Sequence, residues 1–298
     1  MSKLVNYDNK WPIVALCYDF DKTLCTTDMQ NYELIPYLGE KQDDFWDQSN
    51  VQTNKNNMDR ILSYMKVIID IADSKGLELT RDTFHKMGNS VELFNGVDTW
   101  FDRINAYSKE KHINIEHYVI SAGLKEIIEG TPIADKFTDI FACSYIYDKD
   151  NKPTWPRQVV NYTTKTQYIS RISKGCLDLS DDISVNKHME EHEKRVPLRN
   201  FIYIGDSDTD IPAMRLVKQE QGYSIGVYNP KEINKQKVYN LINDDRINSF
   251  APADYSLDSK LERIVRTAIS KIKFENKLRK LTLKQQKQVL KMENEKIV

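Results

Sequence analysis

No run of apolar residues in this 298-residue chain approaches the ~20 that a membrane-spanning helix requires. The amino-terminal MSKLVNYDNKWP also lacks the apolar core of a signal peptide, so neither export nor a membrane partner is expected. Cysteine is scarce. Cys17, Cys25, Cys143 and Cys176 form no CxxC pair and show no zinc spacing, which argues against a disulfide scaffold or a zinc module. Cys17 sits in an apolar stretch and is most simply a small core residue, so reduced thiols and a cytoplasmic location are expected. An excess of one charge is missing too. A net charge of −1 supplies no overall field for nucleic acid or an acidic membrane surface, and no nucleic-acid partner is expected. What is present, 40% hydrophobic and 29% charged residues, is the mixture of a soluble globular protein. The length fits one large domain or two modest ones.

The chain is organised around residues 13–24, IVALCYDFDKTL. The apolar run 13–18 has the length and β-branched start of a buried strand, and it stops at Asp19 and Asp21. In an open parallel sheet, ligands bind outside the carboxyl ends of the strands, which places both acids at a crevice. Residues i and i+2 of an extended segment point the same way, so the two carboxylates can share one site. They then repel each other unless a cation lies between them or one is protonated. An aspartate-rich turn after a core strand is the plain alternative.

From about residue 28 to 111 the pattern becomes helical. Met58, Ile61, Leu62, Met65, Ile68 and Ile69 follow the spacing of a one-faced helix. Thr80 is placed to cap a second helix, and Trp100, Ile104 and Tyr107 mark a third. The acidic, then Asn- and Gln-rich stretch 42–57 is expected to be a loop or helix connection. Strand character returns at 115–120, followed by Ser121, Ala122 and Gly123, and LKEIIEG (124–130) predicts a helix ended by glycine. A hairpin-like excursion is expected over about 142–162, then a helix over 162–174 capped by Thr163 or Thr164. The charged stretch 177–199 is expected to be solvated. His188 and His192 within it suit an exposed helix face better than a metal site. FIYI (201–204) leads into an acidic loop with Asp206, Asp208 and Asp210, and a helix then begins at IPAMRLV. YSIGVY (223–228) and ADYS (253–256) are the last strand candidates. Residues 257–298 predict a lysine-rich helix that packs on the core and then frays. A basic nucleic-acid arm is disfavoured there, because acids are interleaved and aromatics are few. Strands separated by helices predict a doubly wound, parallel α/β sheet.

Three strands thus end in Asp19 with Asp21, in Ser121, and in Asp206 with Asp210, while Lys165 opens a helix between the second and third. This ordered set resembles the haloacid dehalogenase superfamily. DFDKTL matches its first motif, ISAG its second, TTKTQ its third and GDSDTD its fourth. Lys174, before Gly175, rivals Lys165 for the third. The resemblance implies a Rossmann-like core over 1–28 and 112–256, a mainly helical cap at 29–111, and a carboxy-terminal helical segment at 257–298. The cap position and helical character resemble phosphoserine phosphatase-like members.

Members with a second acid, here Asp21, are phosphatase-type, so the resemblance implies phosphoryl transfer. Asp19 is then the nucleophile and forms an aspartyl-phosphate, and Asp21 is the general acid and base. It also implies Mg2+ held by Asp19, the backbone carbonyl of Asp21, Asp206 and Asp210. Thr23, Ser121, Ala122 and Lys165 would hold the phosphoryl group. Asp28 and Arg60 are the cap-side substrate candidates. Lys66 and Arg81 also fit this role, but plain surface charge suits them better. Lys22 and Ser207 depart from the residues common at their motif positions, and Asp208 is an extra acid. The implied substrate is a small phosphorylated metabolite. A phosphotransferase with the same intermediate, or a silent binding or regulatory protein of the same fold, is the alternative.

Overall fold

The computed structural model describes residues 4, 7, 11–206, 208–233 and 235–295, so Ser207 and parts of both termini lie outside the described residues. Seven strands form one sheet: β1 (Ile13–Tyr18), β2 (Asn114–Leu124), β3 (Asp139–Tyr147), β4 (Pro153–Gln158), β5 (Phe201–Gly205), β6 (Tyr223–Tyr228) and β7 (Ser249–Pro252). Their order is β4-β3-β2-β1-β5-β6-β7. Every adjacent pair is parallel except the β3–β4 hairpin. From β1 the chain builds outward through β2 and β3, then crosses to β1's other edge and builds outward again through β5, β6 and β7. The strand order therefore reverses between β1 and β5, where such sheets open a crevice. Consecutive residues Val14 to Tyr18 are all buried, so the central strand is covered on both faces, which a parallel sheet requires.

Five helices fill the segment between β1 and β2: α1 (Leu34–Tyr37), α2 (Gln42–Asn56), α3 (Arg60–Lys75), α4 (Arg81–Met87) and α5 (Val97–Glu110). The stretch expected to be a loop or helix connection is the 15-residue helix α2. Its composition hides it because it buries little, chiefly Phe45 and Ser49, and it is held by pairing with α3. The Ser63 hydroxyl donates to the Ser49 carbonyl at 2.7 Å, and the Trp46 and Tyr64 rings meet edge to face. α3 starts where Asp59 accepts from the backbone N–H groups of Ile61 and Leu62. Its buried face is rotated from the expected stripe. Met65 and Ile68 are buried with Tyr64, Val67 and Ile71, while Ile61, Leu62 and Ile69 are half-buried. Thr80 caps α4 as expected.

The remaining helices are α6 (Lys125–Glu129), α7 (Thr164–Lys174), α8 (Asp182–Asn186), α9 (Ile211–Gln219), α10 (Gln236–Asn243) and α11 (Lys260–Glu295). Gly130 ends α6, but not through a left-handed turn. It is needed because a Cβ there would lie 1.7 Å from the His85 carbonyl oxygen of α4. Neither Thr163 nor Thr164 caps α7 with its side chain; Thr164 instead closes a small turn with Asn161. His188 and His192 lie outside α8 in a turn, with His188 exposed beside Glu190. ADYS is not a strand. The edge strand is β7, just before it, and Tyr255 instead buries its ring and donates its hydroxyl to the Thr23 carbonyl at 2.8 Å. α11 packs through Leu261, Val265, Ala268, Ile269 and Ile272, and continues as helix to Glu295 with exposed side chains from Lys277 to Val289. No helix among the described residues is long and apolar enough to cross a membrane.

One buried polar chain ties α5 to the centre of the sheet. Trp100 Nε1–H donates to the Tyr18 hydroxyl at 2.8 Å, and that hydroxyl faces His117 Nδ1 at 3.0 Å. His117 Nε2 faces Asn105 Oδ1 at 3.1 Å. An amide oxygen only accepts, so the network assigns the ring proton to Nε2 and leaves Nδ1 as acceptor. Burial lowers the His117 pKa from its ordinary 6.5 to about 3, only weakly opposed by Asp102. The unfolded chain therefore takes up a proton below pH 6.5 that the folded chain refuses until about pH 3. Stability from this group is complete above pH 6.5 and is lost as pH falls through that window, by up to about 1.4 kcal/mol per pH unit. Urea unfolding at pH 7 and pH 5 is expected to show a smaller acid-side loss in His117→Gln than in the wild-type chain.

Candidate active site

β1 delivers Asp19 to the reversal point, and its backbone N–H donates to the Ile204 carbonyl of β5 at 2.9 Å. The chain then turns sharply: the N–H groups of Thr23, Leu24 and Cys25 all converge on the Phe20 carbonyl, and Lys22 adopts φ 56°. Asp21 thus reaches the site through a turn, not through the strand alternation that the i, i+2 spacing suggested. Its Oδ1 accepts from the Met29 N–H at 2.8 Å. β5 ends beside β1 and brings Asp206, and the short turn Asp208–Asp210 brings Asp210. Asp208 is exposed.

Lys165, on the first turn of α7, has no solvent exposure. Its ammonium lies 2.9 Å from Asp19 Oδ1 and 2.7 Å from Asp210 Oδ1. The Tyr203 hydroxyl donates to the same Asp210 oxygen at 2.8 Å. Burial alone would lower the lysine pKa, but Asp19 and Asp210 outweigh it and hold the ammonium above its usual value. Lys174 points elsewhere, donating to the carbonyls of Val185 and Lys187 at 2.6 Å. Among the described residues, the one group of three acidic, histidine or cysteine side chains close enough to share a cation is Asp19, Asp206 and Asp210, with one oxygen of each within 4.8 Å of the others.

These acids are crowded. Burial, then Asp210, pushes the Asp19 carboxyl up to about 6 against the pull of Lys165. Burial raises Asp21 well above the usual carboxylate range, with Asp28 and Asp19 adding to it. Burial and the charges of Asp19 and Asp210 do the same to Asp206, opposed by Lys237 at 3.9 Å and by Lys22. The buried ammonium of Lys165 does not by itself balance this many carboxylates. The donors are all hard oxygens, which suits a hard divalent cation.

A cavity of about 290 Å³ opens over this cluster, and Asp19, Asp21, Asp28, Arg60, Ala122 and Asp206 line it. Of the other expected site residues, Thr23, Ser121, Lys165 and Asp210 lie fully buried and do not line it. Ser121 Oγ accepts from the Gly123 N–H at 3.0 Å, and Thr23 Oγ1 has no hydrogen-bond partner. A Cβ on Gly123 would meet Met29 Cε at 2.0 Å and Asp21 Oδ2 at 3.0 Å, so a side chain there would displace Met29. Lys66 pairs with Asp70 and Arg81 with Glu129, and neither lines the cavity. The sequence reading missed Trp46, Ser49 and Asn50 because it missed α2. It also missed Tyr64, whose hydroxyl donates to the Ala122 carbonyl at 2.7 Å, along with Gln30 and Lys237. Tyr64 stood inside an expected helix, but no pattern marked it as facing the core strands.

The model of the haloacid dehalogenase-like hydrolase family matches residues 16–215, from within β1 to within α9. An uncharacterized protein of Borreliella burgdorferi is 25% identical over 276 residues, covering 84% of this chain and 94% of that protein. A HAD-family hydrolase from Salmonella enterica serovar Typhi superimposes with a TM-score of 0.54 at 15% identity, over 81% of this chain and 68% of that one. A phosphoserine phosphatase in its apo form superimposes with a TM-score of 0.51 at 14% identity, over 85% of this chain and 98% of that one. At such identities the two structures agree with this chain in fold. With the family match spanning Asp19, Asp21, Lys165, Asp206 and Asp210, this chain belongs to the haloacid dehalogenase-like hydrolases.

Proposed function

We propose that this protein is a magnesium-dependent phosphomonoester hydrolase acting through an aspartyl-phosphate on a small phosphorylated metabolite in the cytoplasm. The observation that carries this reading is the placement of Asp19 and Asp21 on one cavity wall, with Lys165 against Asp19. The helical segment 29–111 serves as the cap that covers the site and excludes water. The two carboxylates have separate tasks.

A carboxylate oxygen of Asp19 attacks phosphorus, and the bond to the leaving oxygen breaks as the acyl-phosphate forms. Asp21 gives its proton to that leaving oxygen. It then takes a proton from the water that attacks the acyl-phosphate, releasing inorganic phosphate and restoring Asp19. Lys165 holds the nucleophile in place and offers a positive charge beside the phosphoryl oxygens. Ser121, the Ala122 backbone and Thr23 supply further donors for those oxygens. Asp19, Asp206, the Asp21 carbonyl and, in support, Asp210 would hold Mg2+, which when bound neutralises the anions that must meet at the site. The crowding of these acids supports a cation there.

Phosphate release from a generic aryl phosphate is expected to depend on added magnesium and to cease with EDTA. Asp19→Asn is expected to abolish it, since the covalent route has no other nucleophile. Asp21→Asn should lower kcat by ~10²–10⁴-fold, the usual worth of general acid–base catalysis. Release that persists in Asp19→Asn would overturn the mechanism. Independently of turnover, Lys165→Met leaves two buried carboxylates without their counter-charge and is expected to cost about 3–5 kcal/mol in urea unfolding.

A further inference from the structure

α11 outruns the body it packs on. Asn276 donates to Asn200 Oδ1 at 2.9 Å and Arg279 pairs with Glu191 at 3.0 Å, so one side of the helix lies against the body that far. Phe274, Leu278 and Leu281 form a stripe about half a turn round from those two anchors, and each is more than half exposed. Lys277, Lys280 and Lys284 stand exposed along one flank of this stripe. Among the described residues, none of the three is in an ion pair. From Leu281 to Glu295 every described side chain is exposed, and a helix of that length standing alone in water is marginal. Charge is segregated in the same way. Residues 271–298 hold nine of the 43 basic residues but three of the 44 acidic ones, so they carry +6 and the rest of the chain −7.

A surface of opposite character lies on the helical segment. α2 and α3 are joined by only three residues, and a groove of about 620 Å³ follows their seam. Val67 and Ile71 floor it, Val51 stands 64% exposed on its wall, and Asp44, Asp47 and Asp70 rim it. Lys66 holds Asp70, while Asp44 and Asp47 are in no ion pair among the described residues. These α2 residues lie on the face opposite Trp46, Ser49 and Asn50, which line the active cavity. α2 is therefore a helix that shapes the site and has almost nothing behind it. The stripe from Phe274 to Leu281 and the groove wall from Asp44 to Val51 each span seven residue steps, about 10 Å of helix. α11 is one continuous helix whose end stays exposed, so it does not cover the groove of its own chain. We propose that this groove receives α11 of a second copy, with Phe274, Leu278 and Leu281 on Val51, Val67 and Ile71, and the lysine flank toward Asp44 and Asp47. Reciprocal docking closes a two-fold dimer and gives α2 the support it lacks. Two α11 helices paired antiparallel would instead set lysine flank against lysine flank. An anionic membrane would meet the −7 carried by the rest of the chain. The proposal stands apart from the phosphatase reading.

The test is sedimentation velocity of the full chain over a concentration series, with and without added salt. A dimer that weakens with salt is expected. One variant reverses the helix (Lys277→Glu, Lys280→Glu and Lys284→Glu together) and another reverses the groove (Asp44→Lys with Asp47→Lys). Each alone is expected to be monomeric where the wild-type chain is dimeric, and the two mixed should form a heterodimer, since every docked pair then joins opposite charges. Lysine at Asp44 opposes the dipole at the start of α2, so Val51→Glu repeats the groove arm without that change. Val51 is exposed, so circular dichroism of this variant should match the wild-type chain while its dimer is lost. Hydrogen exchange should slow with rising wild-type concentration in both 42–56 and 274–289. A wild-type chain that is monomeric at every concentration overturns the proposal. A dimer lost in the helix variant but kept in both groove variants shows α11 pairing with α11, and overturns it too. So does a monomeric chain that co-sediments with phosphatidylserine vesicles and not with phosphatidylcholine ones, which would give α11 to lipid.

Discussion

Lys165 sits between Asp19 and Asp210 with no access to water, and the rest of the site depends on that contact. A buried ammonium flanked by two carboxylates is stable only while all three stay in place, because the loss of any one strands a charge. The three arrive from separate parts of the fold: the end of β1, the start of α7 and the turn after β5. Their bond therefore ties the two halves of the sheet together where its strand order reverses. Tyr203 extends the network by donating to Asp210, so the ion pairs are braced from within β5. The remaining acids, Asp21 and Asp206, stand around this cluster with too little positive charge near them.

The helical segment is joined to the same place by polar bonds made to backbone. Tyr64 of α3 donates to the Ala122 carbonyl, next to Ser121, and the Tyr145 hydroxyl of β3 donates to the Met65 carbonyl at 2.8 Å. Asn161, just before α7, donates to the Asp59 carboxylate that caps α3. The start of α3, the backbone after β2 and the entry to α7 are thereby fixed to one another. A shift of α3 would disturb the cavity wall and the Lys165 end together.

Much of the fold was legible because a buried parallel strand announces itself. Residues 13–18, 201–204 and 223–228 are short apolar runs that stop at polar turns, and each became a strand with nearly those bounds. α2 was not legible, since a helix that buries only Phe45 and Ser49 carries no apolar period. ADYS, a strand candidate in the sequence, is not one. In the fold Tyr255 is buried by inserting its ring and bonding Thr23, not by joining the sheet. The sequence favoured Lys165 but left Lys174 as its rival, and the two part in the fold because opposite ends of α7 face different surroundings.

The sequence by itself determined the α/β class, the acids at strand ends and the order in which they occur, because strand periodicity and residue chemistry are local properties. Tertiary structure alone decided which lysine meets Asp19, how Asp21 reaches the cavity through a turn, and that Tyr64 of α3 bonds the backbone beside Ser121. Those facts depend on segments as distant as residues 19, 165 and 210 closing on one another. No local preference encodes that closure, since it is set by the register of the sheet and the packing of helices across it.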